Sequence, residues 1–319
     1  MGQYILRRIM INIPVLFVIT VLVFTMVELA PGDMVDFFVT EETMSYLTEE
    51  DLNDLREKLG LNDPPPIRYL KWMGKLFQGD FGFSYIESYP VGPLLFSRIK
   101  NSMILMGTGL AIAILFGIPL GIYTALRQYS AIDFTLTGLS FVALSMPAFI
   151  SGIVGMYIFA VKLGWFPAGG MRTPGVHTLP DLLHHLILPA SLLALMHAGR
   201  FMRYQRFSML EVLNQDYVVT ATAKGMRHRI VINRHALRNA LIPVVTIIGL
   251  TFSQFVTGAV FLETIYSWPG MGRLYYNAVI ARDYPIIMGA NLLIAIFVLA
   301  ANLITDITYA LVDPRVRFE

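Results

Sequence analysis

"DYVVTATAKGMRHRIVINRHALRNALIP", residues 216–243, decides how this chain folds. The stretch carries Lys224, Arg227, Arg229, Arg234 and Arg238, follows Arg200, Arg203 and Arg206, and has long apolar runs on both sides. Hydrophobic residues make up 55% of the 319 and charged residues 14%, the balance of an integral membrane protein rather than of a soluble globule. In such a chain a basic block is a topological marker. Lys and Arg in short loops stay on the cytoplasmic side of a membrane, while acidic residues contribute little.

Six runs are apolar enough to cross a hydrocarbon core ~30 Å thick, which takes about 20 helical residues. They lie near 9–30, 103–126, 134–161, 182–199, 240–262 and 286–311. The fourth is diluted by His184, His185, Pro189 and His197, and the basic block settles it. With six spans, Arg7, Arg8, Arg127, the block 200–238, Arg315 and Arg317 all share one side. Without the fourth, the block's eight Lys and Arg residues, set against only Glu211 and Asp216, would lie outside. The expectation is an all-α membrane protein of six transmembrane helices with both termini cytoplasmic. It divides into 1–30, the N-terminal end and first helix; 31–99, an external acidic segment; and 100–319, a five-helix core holding the cytoplasmic loop 200–238. The apolar run from Ile9 to Val27 is too long for a signal-peptide core, and no small-x-small cleavage site precedes Pro31-Gly32-Asp33, so the first span is read as uncleaved. There is no cysteine, which excludes disulfides, thiolate metal sites and thiol nucleophiles.

The segment 31–99 is too acidic to enter lipid and is predicted to form a small external helical cap. Thr48 and Asp51 make a capping box, Leu52, Leu55 and Leu59 share a face, and Gly60 with Pro64-Pro65-Pro66 ends that helix. A second amphipathic helix runs through Ile67, Leu70, Met73 and Phe77 to Gly79. Two further external connections, "GWFPAGGM" at 164–171 and "YSWPGMGRLYY" at 266–276, are rich in Gly, Pro and aromatics. Two readings stay open for them: an aromatic belt at the interface using Trp165 and Trp268, or a gate formed by Trp268, Pro269 and Gly270.

The loop 200–238 far exceeds the about 2 to 8 residues that a helix connection needs, so it requires a task of its own. Arg200 to Leu213 continues the fourth helix beyond the bilayer. In the following "QDYVVTATAKGM", Ala221 and Gly225 lie four apart on one helical face with Ala223 close by, so another surface can approach the backbone while Lys224 and Arg227 bind it. A membrane-surface helix is the alternative. Ala, Thr and Gly stand where Leu or Phe would anchor such a helix, which favours a protein partner.

Here the chain resembles a known family. The run "GRFMRYQRFSMLEVLNQDYVVTATAKGMRHRIVINRHALRNALIPVVTIIGL", "ETIYSWPGMGRL", "ARDYPIIMG", "LVDPRVRF", "LAPGD" at 29–33 and "GDFGFSY" at 79–85 all look like the bacterial oligopeptide, dipeptide and nickel permeases of ATP-binding-cassette importers. The resemblance covers essentially the whole chain. It implies the type I importer permease fold in the bacterial inner membrane and a pairing with a second, homologous permease around a shared path. It implies two cytoplasmic ATPase subunits, which hold the ATP and Mg, and an external substrate-binding protein; the remaining contact is membrane lipid, not nucleic acid. This chain would bind no cofactor or metal and have no catalytic site. Asp216, Thr220, Ala221, Ala223, Lys224, Gly225 and Arg227 would form the ATPase-coupling segment. The importer pattern Glu-Ala-Ala before its Gly is here Val219, Thr220 and Ala221, so only the last Ala matches. The implied cargo is a peptide, with nickel or another small solute as the alternative.

Rival classes have weaker support. A secondary transporter usually has midplane ionisable groups and inverted repeats. Here Glu28 and Asp306 sit toward helix ends and no repeat is evident. An intramembrane enzyme lacks its signature, since there is no His-Glu-x-x-His and no base spaced to activate Ser191 or Ser253. His185 and His197 are over three helical turns apart, too far to share a metal from one helix. Ser253, Gln254, Thr257 and Asn291 are candidates for lining a path, and hydrogen bonding between helices is their ordinary alternative. Pro119 and Pro147 are candidate kinks.

Overall fold

A computed structural model describes residues 2–30, 62–84, 86–258 and 260–312. The predicted helix through Leu52, Leu55 and Leu59 with its Thr48–Asp51 box lies outside the described residues, as does most of the terminal "LVDPRVRF". The chain divides into two compact units, one of residues 1–100 with 274–297 and one of 101–273 with 298–319.

In the first unit, α1 (Gly2–Glu28) is the predicted first span. Beside it runs α2 (Pro65–Phe77), whose first turn begins on two prolines, as a helix start permits. Tyr69 packs edge-on against Phe17 and Phe24, Trp72 stacks on Phe24, and the Thr20 and Tyr69 hydroxyls bond at 2.8 Å. Arg68 donates to Glu28 at 2.9 Å. This corrects the predicted face of α2. Ile67, Leu70 and Phe77 are 44%, 67% and 85% exposed, because the larger rings of Tyr69 and Trp72 take the contact with α1 instead. A two-residue hairpin, β1 (Phe83–Ser84) paired antiparallel with β2 (Tyr89–Pro90), leads into α3 (Val91–Leu126). That helix therefore begins inside the segment read as external cap, eight residues before its predicted boundary of 99. The buried Ser84 hydroxyl donates to Asp283, whose other oxygen accepts from Ile286 N at the start of α11 (Tyr284–Val312).

In the second unit, the lower part of α3 packs on α6 (Leu179–Leu213) backbone to backbone. Gly109, Ala113, Gly117, Gly121 and Ala125 recur every four residues. A Cβ on any of those three glycines would come closer than 3 Å to an atom of α6: Leu193 at Gly109, the Ala198 carbonyl at Gly117, and the Met202 carbonyl and Gln205 at Gly121. Small residues at this spacing let two membrane helices touch, where dispersion replaces the absent hydrophobic drive. Gly199 of α6 meets Ser140 of α4 (Ala131–Ser145) in the same manner.

The predicted span 134–161 is not one helix. It breaks at Met146-Pro147 by 106°, between α4 and α5 (Ala148–Lys162), which is α-helical to Gly155 and π-helical from Met156. Proline removes a backbone donor and clashes with the preceding turn, so Pro147 starts a new helix rather than bending an old one. Pro119, by contrast, lies within an unbroken α3. Among the described residues four helices are long and apolar enough to cross a membrane, and the bent pair makes a fifth. The predicted span 240–262 falls on α8 (Ile242–Gly258), 17 residues long, followed by α9 (Val260–Ile265). Seventeen residues is the short limit for a spanning helix. The fourth span is α6, and as expected it runs on through Arg200 to Leu213.

Candidate functional site

The basic segment forms α7 (Asp216–Ala223), a short helix set at the end of α6. Its inner face is Val218 and Ala221, 3% and 6% exposed, packed on Met209, Val231, Ile232, Ala236 and Ala240. The partners come from a π-helical turn, Val231–Ala236, and the short helix after it, Leu237–Ala240. Asn239 donates to the Tyr217 hydroxyl at 2.7 Å and pins the same side. This overturns the reading of Ala221 and Gly225 as one small-residue docking face. Ala221 points into the protein, and the helix ends at Ala223. Lys224 is the cap and Gly225 follows in the left-handed region at φ +72°, donating to Thr222 O at 3.0 Å. Glycine takes this conformation without steric penalty and so terminates helices. A Cβ on Gly225 would meet nothing within 4 Å, so its surroundings are open. Asp216, Thr220, Ala223, Lys224, Gly225 and Arg227 are all exposed, together with Val219.

A second assembly organises the turn that follows α9. Trp268 is fully buried among Leu105, Leu186, Leu193, Leu262 and Tyr266, and its Nε1 donates to Asn101 O at 2.9 Å. Asn101 in turn donates to Pro269 O at 2.9 Å. Trp268 is therefore no part of an interfacial belt, whereas Trp165, 59% exposed, is free to be. At the centre lies Glu263, 1% exposed. Its carboxylate accepts from Ser102 Oγ and from the backbone N–H groups of Gly272 and Arg273, and the Ser102 oxygen accepts from Met271 N at 2.8 Å. These N–H groups are the free donors at the start of α10 (Met271–Ile280), where a carboxylate is stabilised by both hydrogen bonds and the helix dipole. A Cβ on Gly270 would collide with the Glu263 carboxyl, which is why glycine stands there. Tyr266, also buried, reaches α5 by donating to Gly152 O at 3.0 Å.

Three polar links lie outside these sites. Arg206 of α6 donates through Nε and Nη2 to both oxygens of Asp133 at the start of α4, each at 2.8 Å. His184 Nε2 donates to Trp165 O, and His185 Nδ1 lies 2.9 Å from Asp181 O, so both have polar partners within the protein.

Of the proposed path residues, Ser253, Gln254 and Thr257 lie on α8, and their side chains fall outside the described part. Asn291 donates to Ile287 O at 2.9 Å and to the Tyr275 hydroxyl at 3.3 Å, the interhelical alternative rather than an open polar lining. Sequence reading missed Glu263, Ser102 and Asn101. Glu263 stood in the quoted "ETIYSWPGMGRL", but its partner Ser102 lies 161 residues away and no local pattern points to it.

Comparison with known proteins gives consistent results. Residues 117–318 match the family described as binding-protein-dependent transport system inner membrane component, and residues 1–102 match its N-terminal counterpart. The chain is 46% identical to a protein of Brucella suis biovar 1 named as a peptide permease, over 99% of each. It is 42% identical to the oligopeptide transport system permease protein AppB of Bacillus subtilis, over 100% of each. Among solved structures, the inward-facing MetNI methionine ABC transporter is similar with a TM-score of 0.57 at 14% identity, covering 69% of this chain and 96% of that one.

Proposed function

The chain belongs to the inner membrane components of binding-protein-dependent transport systems, and from that premise we propose that it is one permease half of an ATP-driven importer of peptides. The observation that carries the cargo is end-to-end similarity: relatives named for peptide and oligopeptide transport match the whole chain at over 40% identity. In this reading a second, homologous permease completes the path, and a binding protein delivers the substrate from outside. ATP and Mg are held by two ATPase subunits, and this chain supplies no catalytic group. Both termini and residues 200–238 face the cytoplasm, and α7 with Lys224, Gly225 and Arg227 is the element through which the ATPases act. A distant ligand shifts a conformational equilibrium only by binding its states differently, so ATP must act through a firmly held contact. The buried inner face of α7 and its Tyr217–Asn239 bond supply that firmness. The turn at Trp268–Gly270, fastened to residues 101 and 102, closes the opposite end.

The test is uptake. A strain deleted for this gene should lose accumulation of radiolabelled di- and oligopeptides while nickel uptake is unchanged, and the intact gene should restore it. Loss of nickel uptake with peptide uptake intact would assign the other cargo. Topology is checked separately on the natively cysteine-free chain: Thr222→Cys should resist impermeant thiol reagents in intact cells and react once the membrane is opened.

A further inference from the structure

The flank of α7 between its buried and exposed faces is not flat. Beside it, where α6 ends, lies an open hollow of about 350 Å³ lined by Leu213, Val218, Val219, Thr222 and Ala223. Its lining is mainly apolar, yet no described residue fills it, and Val219 stands 56% exposed at its edge. Lys224, Arg227 and Arg229 follow directly in sequence and are exposed, with no ion pair among the described residues. Walls of this kind are rigid, since Val218 is held in the core and Tyr217 is bonded to Asn239.

A membrane-surface helix binds by pushing bulky apolar side chains into the acyl region. Here the relief is inverted: Thr222 and Ala223 are short, and a concave apolar surface gains burial only when something protruding enters it. The exposed basic residues that follow the lining in sequence, Lys224, Arg227 and Arg229, select for acidic groups near that protrusion. We infer that this hollow receives one bulky apolar side chain of the ATPase subunit, presented between acidic groups. The inference rests on the coupling role proposed for α7 and adds the reciprocal half of the contact: the permease is a socket there as well as a knob.

Burying one Leu, Ile, Phe or Met side chain corresponds to about a 10- to 100-fold change in affinity. Filling the hollow from this side with Ala223→Phe should therefore weaken ATPase retention by the permease pair on that scale, whereas Lys224→Ala should change it only a few-fold. Because Ala223→Phe could also disturb α7 itself, protection is measured in parallel. In the assembled complex in nanodiscs, Ala223→Cys, which lines the hollow, and Lys224→Cys, the next residue in sequence and not part of the lining, are reacted with a small methanethiosulfonate, with and without ATPase subunits. Both should slow at least tenfold when the ATPase is bound. Slowing at Lys224→Cys alone would overturn the socket and leave the coupling role standing. Slowing at neither would overturn both. Protection of Ala223→Cys by the lipid of the nanodisc, with no ATPase present, would also overturn the inference, since the occupant would then be an acyl chain.

Discussion

The turn after α9 and the helix α7 are both short, both carry a glycine the sequence marks out, and both lie within the second unit, yet they direct their polar groups oppositely. Around the turn, the buried polar groups are answered from within: the Glu263 carboxylate by Ser102, Gly272 and Arg273, the Trp268 indole by Asn101, the Pro269 carbonyl by the Asn101 amide. On α7 only Val218 and Ala221 face inward, and the charges face out together with Val219 and Ala223. Buried, fully bonded polar groups fix one geometry, because breaking any bond leaves a desolvated partner. Exposed charges fix nothing by themselves and await a partner. The glycines differ in the same sense: Gly270 is required because a side chain would strike Glu263, Gly225 because the backbone there is left-handed.

The largest effect should come from Glu263→Ala, which strands three donors in a dry pocket. A loss of about 3 kcal/mol in stability is expected, read as a marked fall in Tm of the purified protein, and Gly270→Ala should fall in the same direction. If Glu263→Ala melts like the parent, the turn is not internally fastened and the contrast with α7 collapses. Next is Arg206→Ala. Its two-pronged bond to the nearly buried Asp133 is partly open to solvent on the Arg side, so the loss should be about 2 kcal/mol, with Arg206→Lys recovering part of it. Equal stability of Arg206→Ala and the parent would show the pair to be incidental.

Gly225 sharpens the comparison at smaller scale. Left-handed backbone costs an ordinary residue about 1 to 2 kcal/mol, and Asn least among them. Gly225→Asn should therefore keep ATPase retention near the parent's while Gly225→Leu loses most of it. If the two variants fail equally, bulk at this position is irrelevant and only the backbone matters. The smallest effect is expected at Asp283, a buried carboxylate with fewer bonds than Glu263. Burial raises its pKa, Glu87 nearby adds to that, and the bonds from Ser84 and Ile286 N oppose it. A carboxyl raised in the folded state contributes stability below its unfolded value of about 3.9 and loses it as pH rises through the folded one. Asp283→Asn removes the titration, so its Tm relative to the parent should rise with pH across that range. A pH-independent difference would contradict the shift.

The apolar runs and the basic loop were legible because membrane thickness and loop charge act through composition, which any stretch carries openly. The continuation of α6 to Leu213 was legible for a similar local reason, whereas the helix end before Gly225 was not, since Gly225 reads equally as a small residue on the helical face of Ala221. The 106° break was not: Pro147 marks where a helix must start, but the angle comes from packing, such as Gly152 against Leu262 and Ile265 and Gly155 against Leu192. Nor was the direction of Ala221, because in a helix of eight residues the run of six Val, Thr and Ala shows little contrast between faces. For α2 the aliphatic positions misled, since Tyr69 and Trp72 offered more area to α1 than Ile67 and Leu70. The four-residue spacing of Gly109, Ala113, Gly117 and Gly121 was there to be read and was overlooked.

That spacing has a mechanical meaning. Two helices held apart by large side chains can slip past each other as rotamers change, but two helices touching through glycines are indexed like a thread, and a slip of a single residue would drive each Cβ into the other's backbone. The paired rods therefore tilt together or not at all. One of them, α6, is 35 residues and roughly 52 Å long, with α7 attached at its tip. In the coupling role proposed for α7, a push on it would be delivered along a stiff lever, and a rotation of a few degrees about the middle of α6 would move the far end by ångströms without loss to sliding.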